Sequence, residues 1–129
     1  MKVKIDTKEK FHVITLIEPM LTVNIAAELS NLSTDYLQQK IKNIVLNLSN
    51  TDTIEHEIAA DQLAQLQQKF YENSASFVIC NIHPAVEAQL ESMELLEFMN
   101  VTPTESEAWD IVQMEEIERE LLDDEEDDL

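Results

Sequence analysis

The sequence predicts an α/β domain with a mixed sheet, and three observations carry that prediction. Short β-branched runs alternate with stretches of helical spacing, which is the pattern of a layered α/β structure. The first two runs have only a four-residue turn between them, so they pair antiparallel and make the sheet mixed. The run Asn43-Ile44-Val45-Leu46-Asn47-Leu48 is short and almost continuously apolar, as an interior strand covered on both faces reads.

Taken in order, Lys2–Ile5 alternates polar and apolar residues, and Phe11–Ile17 does so less cleanly. Both read as strands, with Thr7–Lys10 as the turn between them and Pro19 as the stop. From Thr22 to Gln39 the apolar residues Ile25, Ala26, Leu29, Leu32, Tyr36 and Leu37 fall at helical spacing. After the central strand, Ser49–Asp52 is turn chemistry. A second helix is expected over 58–71, with Leu63, Leu66 and Phe70 inward. Ser76–Ile82 reads as another buried strand. Pro84 opens the third helix, where its missing N–H costs nothing. Met99–Thr102 is expected as a short edge strand. Thr104 and Glu107 fit a capping box at the start of a last helix reaching Leu121. Asp123–Leu129 is too polar to pack and is expected to be a disordered acidic tail, leaving 1–122 as one domain.

Composition removes several function classes. The chain has no glycine. Phosphate-cradling loops, the dinucleotide fingerprint and the glycine-flanked nucleophile turn all need one, so catalysis on phosphates or cofactors is not expected. Net charge is −19. Residues 1–42 carry +1, whereas the remainder carries 22 acids against Lys69 and Arg119. Nucleic acids and anionic membranes call for basic patches, so neither is an expected partner. A basic protein partner remains open, beside the plainer reading of charge as solubility. No apolar run approaches the ~20 residues of a membrane span. The N-terminus carries no signal-peptide stretch, and the single cysteine, Cys80, excludes an intrachain disulfide. A cytoplasmic, reducing setting is expected.

The order of elements resembles a STAS domain, the fold of the bacterial anti-sigma factor antagonists, over roughly residues 1–120. Lys42–Ser49 resembles the family's central strand, and Phe77–Val86 its next strand and helix start. Ser92–Leu95 followed by Thr104–Ala108 resembles the run into the last helix. The resemblance implies a sheet of four to five strands with about four helices packed mainly on one side. It also implies a non-enzymatic role in partner switching. In the antagonists the turn after the central strand carries Asp-Ser-Ser-Gly, whose first serine is phosphorylated by a partner that is both anti-sigma factor and kinase. Here that turn reads Glu55-His56-Glu57-Ile58-Ala59. Aligned from the central strand, the acceptor position falls on His56; aligned from the next strand, on Glu57. The family's glycine falls on Ile58 or Ala59, and its later Gly-Leu becomes Glu94-Leu95. The fold is therefore expected without the serine switch. The partner implied is an anti-sigma factor kinase or another ATPase-fold protein. STAS-like domains also serve as fixed accessory subunits of transport ATPases or larger signalling assemblies, and that alternative stays open.

The candidate site is the turn Glu55, His56, Glu57, Ile58 and Ala59, read as a partner contact at a helix N-terminus or as acids that only cap a helix. Glu57 imitates phosphoserine incompletely, with one charge against about −1.5 to −2. No metal or cofactor is expected. Adjacent Glu, His and Glu cannot easily all face one ion, and His12 and His83 lie elsewhere in the sequence. Thr51 and Thr53 are alternative acceptors or simple turn residues. Cys80, mid-strand, reads as structural. The acidic residues of 114–129 suggest either a docking helix for a basic groove or a helix that closes the core, with Trp109 in that closure.

Overall fold

The computed structural model describes residues 1–127, with side chains through Leu122. Its main sheet has the order β1-β2-β4-β6-β7, formed by Val3–Thr7, Phe11–Leu16, Asn43–Asn47, Phe77–Cys80 and Val101–Thr102. β1 runs antiparallel to β2, with Ile5 opposite Ile14, and the other three pairings are parallel. A separate two-stranded piece pairs β3 (Met20–Leu21) with β5 (Thr53–Ile54) in parallel. The helices are α1 (Val23–Asp35), α2 (Glu57–Glu72), α3 (Pro84–Ser92) and α4 (Glu105–Asp127). The fold is a mixed α/β domain, as expected from the strand pattern.

The two-residue period of a strand sends alternate side chains to opposite faces. Ile14, Leu16, Ile44, Leu46, Phe77 and Ile79 point to the face covered by α1, α2 and α3. Val13, Val45, Val78 and Cys80 point to the other face, against Ala108 and Val112 of α4. Three helices thus lie on one side and one on the other, which is why β4 and β6 are buried throughout their apolar runs. α2 presents Ala59, Leu63, Leu66 and Phe70 inward, and the Phe70 ring meets Phe77 at 5.4 Å.

Caps set the helix starts. The Thr22 hydroxyl accepts from the Ile25 N–H at 3.1 Å, and the Thr104 hydroxyl accepts from the Glu107 N–H at 3.2 Å. α1 ends earlier than its periodicity suggests, tightening into a 3₁₀ turn over Tyr36–Gln38. β6 is shorter than the apolar run because Asn81 turns the chain at φ 55°. The backbone of α4 continues to Asp127, so the acidic segment Asp123–Leu129 overlaps its end. Extending an existing helix gains one hydrogen bond per residue fixed, and polarity alone does not stop it. The side chains of that segment, and residues 128–129 altogether, lie outside the described residues.

A chain without glycine must place other residues wherever the backbone turns left-handed. Ser74 (φ 56°) follows α2 and Glu94 (φ 59°) follows α3. Both helices end in the same paired-bond motif. Ala75 N–H donates to Phe70 C=O and Ser74 N–H to Tyr71 C=O; Leu95 N–H donates to Leu90 C=O and Glu94 N–H to Glu91 C=O. The residue at the left-handed position of this motif is usually glycine, because a Cβ there crowds the following carbonyl at about 1–2 kcal/mol. Ser74→Gly and Glu94→Gly are each expected to raise the unfolding free energy by about 1 kcal/mol. Urea denaturation followed by circular dichroism measures this, and unchanged or lower midpoints would contradict it.

A candidate partner-binding turn

The turn between β4 and α2 is held by its neighbours at every step. Asn47 Oδ1 accepts from Ser49 N–H at 2.9 Å and opens the bend. Thr51 is buried, and its hydroxyl donates to the Glu18 carbonyl at 2.8 Å. Asp52 N–H donates to Pro19 C=O, and Glu55 N–H to Leu21 C=O at 3.0 Å. Ile54 is gripped from the other side by the Gln89 amide: Oε1 accepts from its N–H at 2.9 Å, and Nε2 donates to its carbonyl at 3.2 Å. That single side chain acts as a neighbouring strand would, satisfying both backbone groups of a buried residue.

The chain then enters α2 with His56 as N-cap, its backbone extended at φ −153° and ψ 151°. His56 Nδ1 accepts from Ile58 N–H at 3.1 Å. Glu57 occupies the first helical position, where the helix dipole favours a carboxylate. Glu55, His56, Glu57 and Ile58 are exposed, Ile58 to 54% of its surface. Ala59 is not part of this surface. It is fully buried, because it lies on the Leu63–Leu66–Phe70 side of the helix. The exposed surface at the turn is therefore 55–58, and Met20, in register with Thr53, is exposed as well. Nothing in the sequence points to Met20, since a two-residue strand leaves no periodic signal.

Of the two positions that stand for family glycines, only one has a backbone reason. Ile58 and Ala59 are not among the residues with positive φ, whereas Glu94 is. Of the alternative acceptors, Thr51 has its hydroxyl committed inside the fold, and Thr53 is partly buried in β5.

The other histidines have structural duties. His83 caps α3 as His56 caps α2, its Nδ1 accepting from Ala85 N–H at 3.1 Å. His12 is buried between Thr7 Oγ1 (2.9 Å) and the Ile41 carbonyl (3.0 Å). A carbonyl only accepts, so Nε2 carries a proton there, and the threonine hydroxyl can serve Nδ1 as either donor or acceptor. Burial, aided by the Glu105 carboxylate, pushes the Cys80 thiol up to about 12, far from the thiolate a nucleophile needs. Among the described residues no three His, Cys, Asp or Glu side chains converge to hold a metal. A cleft of about 600 Å³ lies at the opposite end of the sheet, among Lys10, Lys40, Lys42, Glu116 and Arg119. Among the described residues no helix is long and apolar enough to cross a membrane.

The sheet order, the split of helices about it and a helix entered directly from the central strand's loop agree with the sequence match: the STAS domain family model covers residues 2–108. The chain belongs to the STAS domain family. No match was found among curated proteins. Similar solved structures include an anti-sigma factor antagonist from Mycobacterium paratuberculosis (TM-score 0.72, 15% identity, 87% of this chain and 93% of that one). A serine-to-glutamate variant of RsbS from Moorella thermoacetica superimposes with a TM-score of 0.70 at 20% identity, over 88% and 96% of the two chains. A sulfate transporter family protein from Wolinella succinogenes gives 0.70 at 11% identity, over 85% and 90%. At these identities the likeness is one of fold, and this STAS domain's function rests on its own surface.

Proposed function

We propose that this STAS domain is a non-enzymatic binding module of a bacterial partner-switching circuit controlling a sigma factor, and that it works without serine phosphorylation. The observation that carries the reading is the α2 turn. Where the resemblance puts the antagonists' acceptor serine, this chain has His56 or Glu57, both exposed and neither a hydroxyl. Serine is a preferred N-cap residue, so the family's acceptor and His56 suit the same place at the head of the helix. Glu57 then supplies a permanent negative charge one position on. The contact surface is Glu55, His56, Glu57 and Ile58 with Met20, and the partner is an anti-sigma factor kinase or another ATPase-fold protein.

The test is incubation with the anti-sigma factor kinase of its own organism and Mg-ATP, followed by peptide mass spectrometry. Residues 51–57 are expected to stay unmodified while the complex forms with and without ATP. Stoichiometric phosphate in that stretch would overturn the lost switch. Ile58→Lys is expected to weaken the complex at least tenfold, or about 1.4 kcal/mol. An unchanged affinity would move the interface elsewhere.

A second reading is a fixed accessory subunit of a transport ATPase or larger signalling assembly; a sulfate transporter family protein shares the fold. Co-purification of a transporter ATPase in place of a kinase would decide for it.

A further inference from the structure

α4 has two apolar sides, and the sheet uses only one. Ala108 and Val112 pack on β2, β4 and β6, and on the same side Glu115 reaches Asn100 while Arg119 reaches Ser76. At about 100° per residue, Met114, Ile117 and Leu121 fall within about 60° of one another on the opposite side. All three are exposed, at 60%, 56% and 58%. Spaced i, i+3 and i+7, they form a row roughly 10 Å long where a helix closing a core would present polar residues. Exposed acids border the row: Glu107 and Glu118 lie along one edge, Glu120 on the other, and Asp110 stands in line with the row one turn before Met114. The only base in this stretch, Arg119, is turned inward to Ser76.

We propose that this outer face of α4 is a docking surface for a partner's basic amphipathic helix, with apolar side chains over Met114, Ile117 and Leu121 and lysine or arginine against the flanking carboxylates. Charge decides the occupant. A second copy of the chain would bring acidic edges together on molecules that each carry −19. An anionic lipid surface would be repelled by the same edges. A helix with a basic rim gains from both the apolar row and its border. The surface lies across the sheet from α2, so it is separate from the turn at 55–58 and holds whether or not that turn binds a kinase.

The test uses the whole protein and two synthetic 18-residue peptides of identical leucine and lysine composition. One has leucines at i, i+3 and i+7 with lysines on the flanks; the other is scrambled. Titration calorimetry at physiological salt is expected to show the ordered peptide binding at least tenfold tighter. The charge-neutral triple variant Met114→Ser/Ile117→Ser/Leu121→Ser is expected to remove that difference, while Tyr71→Ser, which truncates an exposed hydrophobic side chain elsewhere, retains it. Equal affinity for both peptides, or a triple variant that still discriminates, would overturn the proposal. So would sedimentation showing the wild-type chain self-associating through a face that the triple variant loses.

Discussion

Phe70→Ala is expected to lower the unfolding free energy by about 3–5 kcal/mol, the usual cost of deleting a fully buried phenylalanine. Phe70 has no exposed surface and stands where the inner face of α2 meets the sheet, its ring tilted against Phe77. Its carbonyl also accepts from the N–H groups of Asn73 and Ala75, so the residue ends the helix as well as filling the core. Truncation leaves the cavity but not the broken cap, and most of the loss is therefore a packing loss. Single domains carry only about 5–15 kcal/mol in total, so the variant sits near the edge of folding. Phe70→Leu, which keeps most of the volume, is expected to cost well under half as much and to remain folded. Urea denaturation of both variants provides the measurement. A Phe70→Ala loss below about 1 kcal/mol would mean that α2 repacks, and the described core would be wrong there.

Asn43→Ala follows, at about 2–4 kcal/mol, through lost hydrogen bonds rather than lost volume. Asn43 is buried where β4 begins, and its amide serves three elements. Nδ2 donates to the Lys10 carbonyl ahead of β2 at 3.0 Å and to Glu116 Oε1 on α4 at 2.8 Å. Oδ1 accepts from the buried Ser76 N–H ahead of β6 at 2.9 Å. Alanine satisfies none of these, and an orphaned buried N–H costs about 1–3 kcal/mol by itself. The loss should be local in its signature. Hydrogen exchange is expected to accelerate first in α4, which loses its tether through Glu116, and only later in β4. Uniform acceleration across the domain would argue that Asn43 holds the sheet and not the helix.

The interior strands and the helix starts were legible because each is written in neighbouring residues. The run at 43–48 announces burial on both faces, and Thr104 with Glu107 announces a cap. What escaped the sequence depends on distant partners. β3 and β5 are two residues each and exist only because Met20 and Thr53 meet across the fold. The grip of Gln89 on Ile54 spans 35 residues and looks in sequence like any surface glutamine. The histidine caps escaped because histidine is not an expected N-cap residue. At the turn, the run 55–59 was placed at a helix start as found, but helical phase decides that Ala59 faces inward while Ile58 faces out.

The stacking of Trp109 on Phe11, with ring centroids 5.0 Å apart, has a practical side. It is the chain's only tryptophan, and it sits on α4, which covers the second face of the sheet. Its emission is therefore a built-in optical gauge of whether α4 is seated, distinct from the far-ultraviolet signal of the whole domain. A red shift ahead of the loss of ellipticity would mark α4 lifting off an otherwise intact sheet.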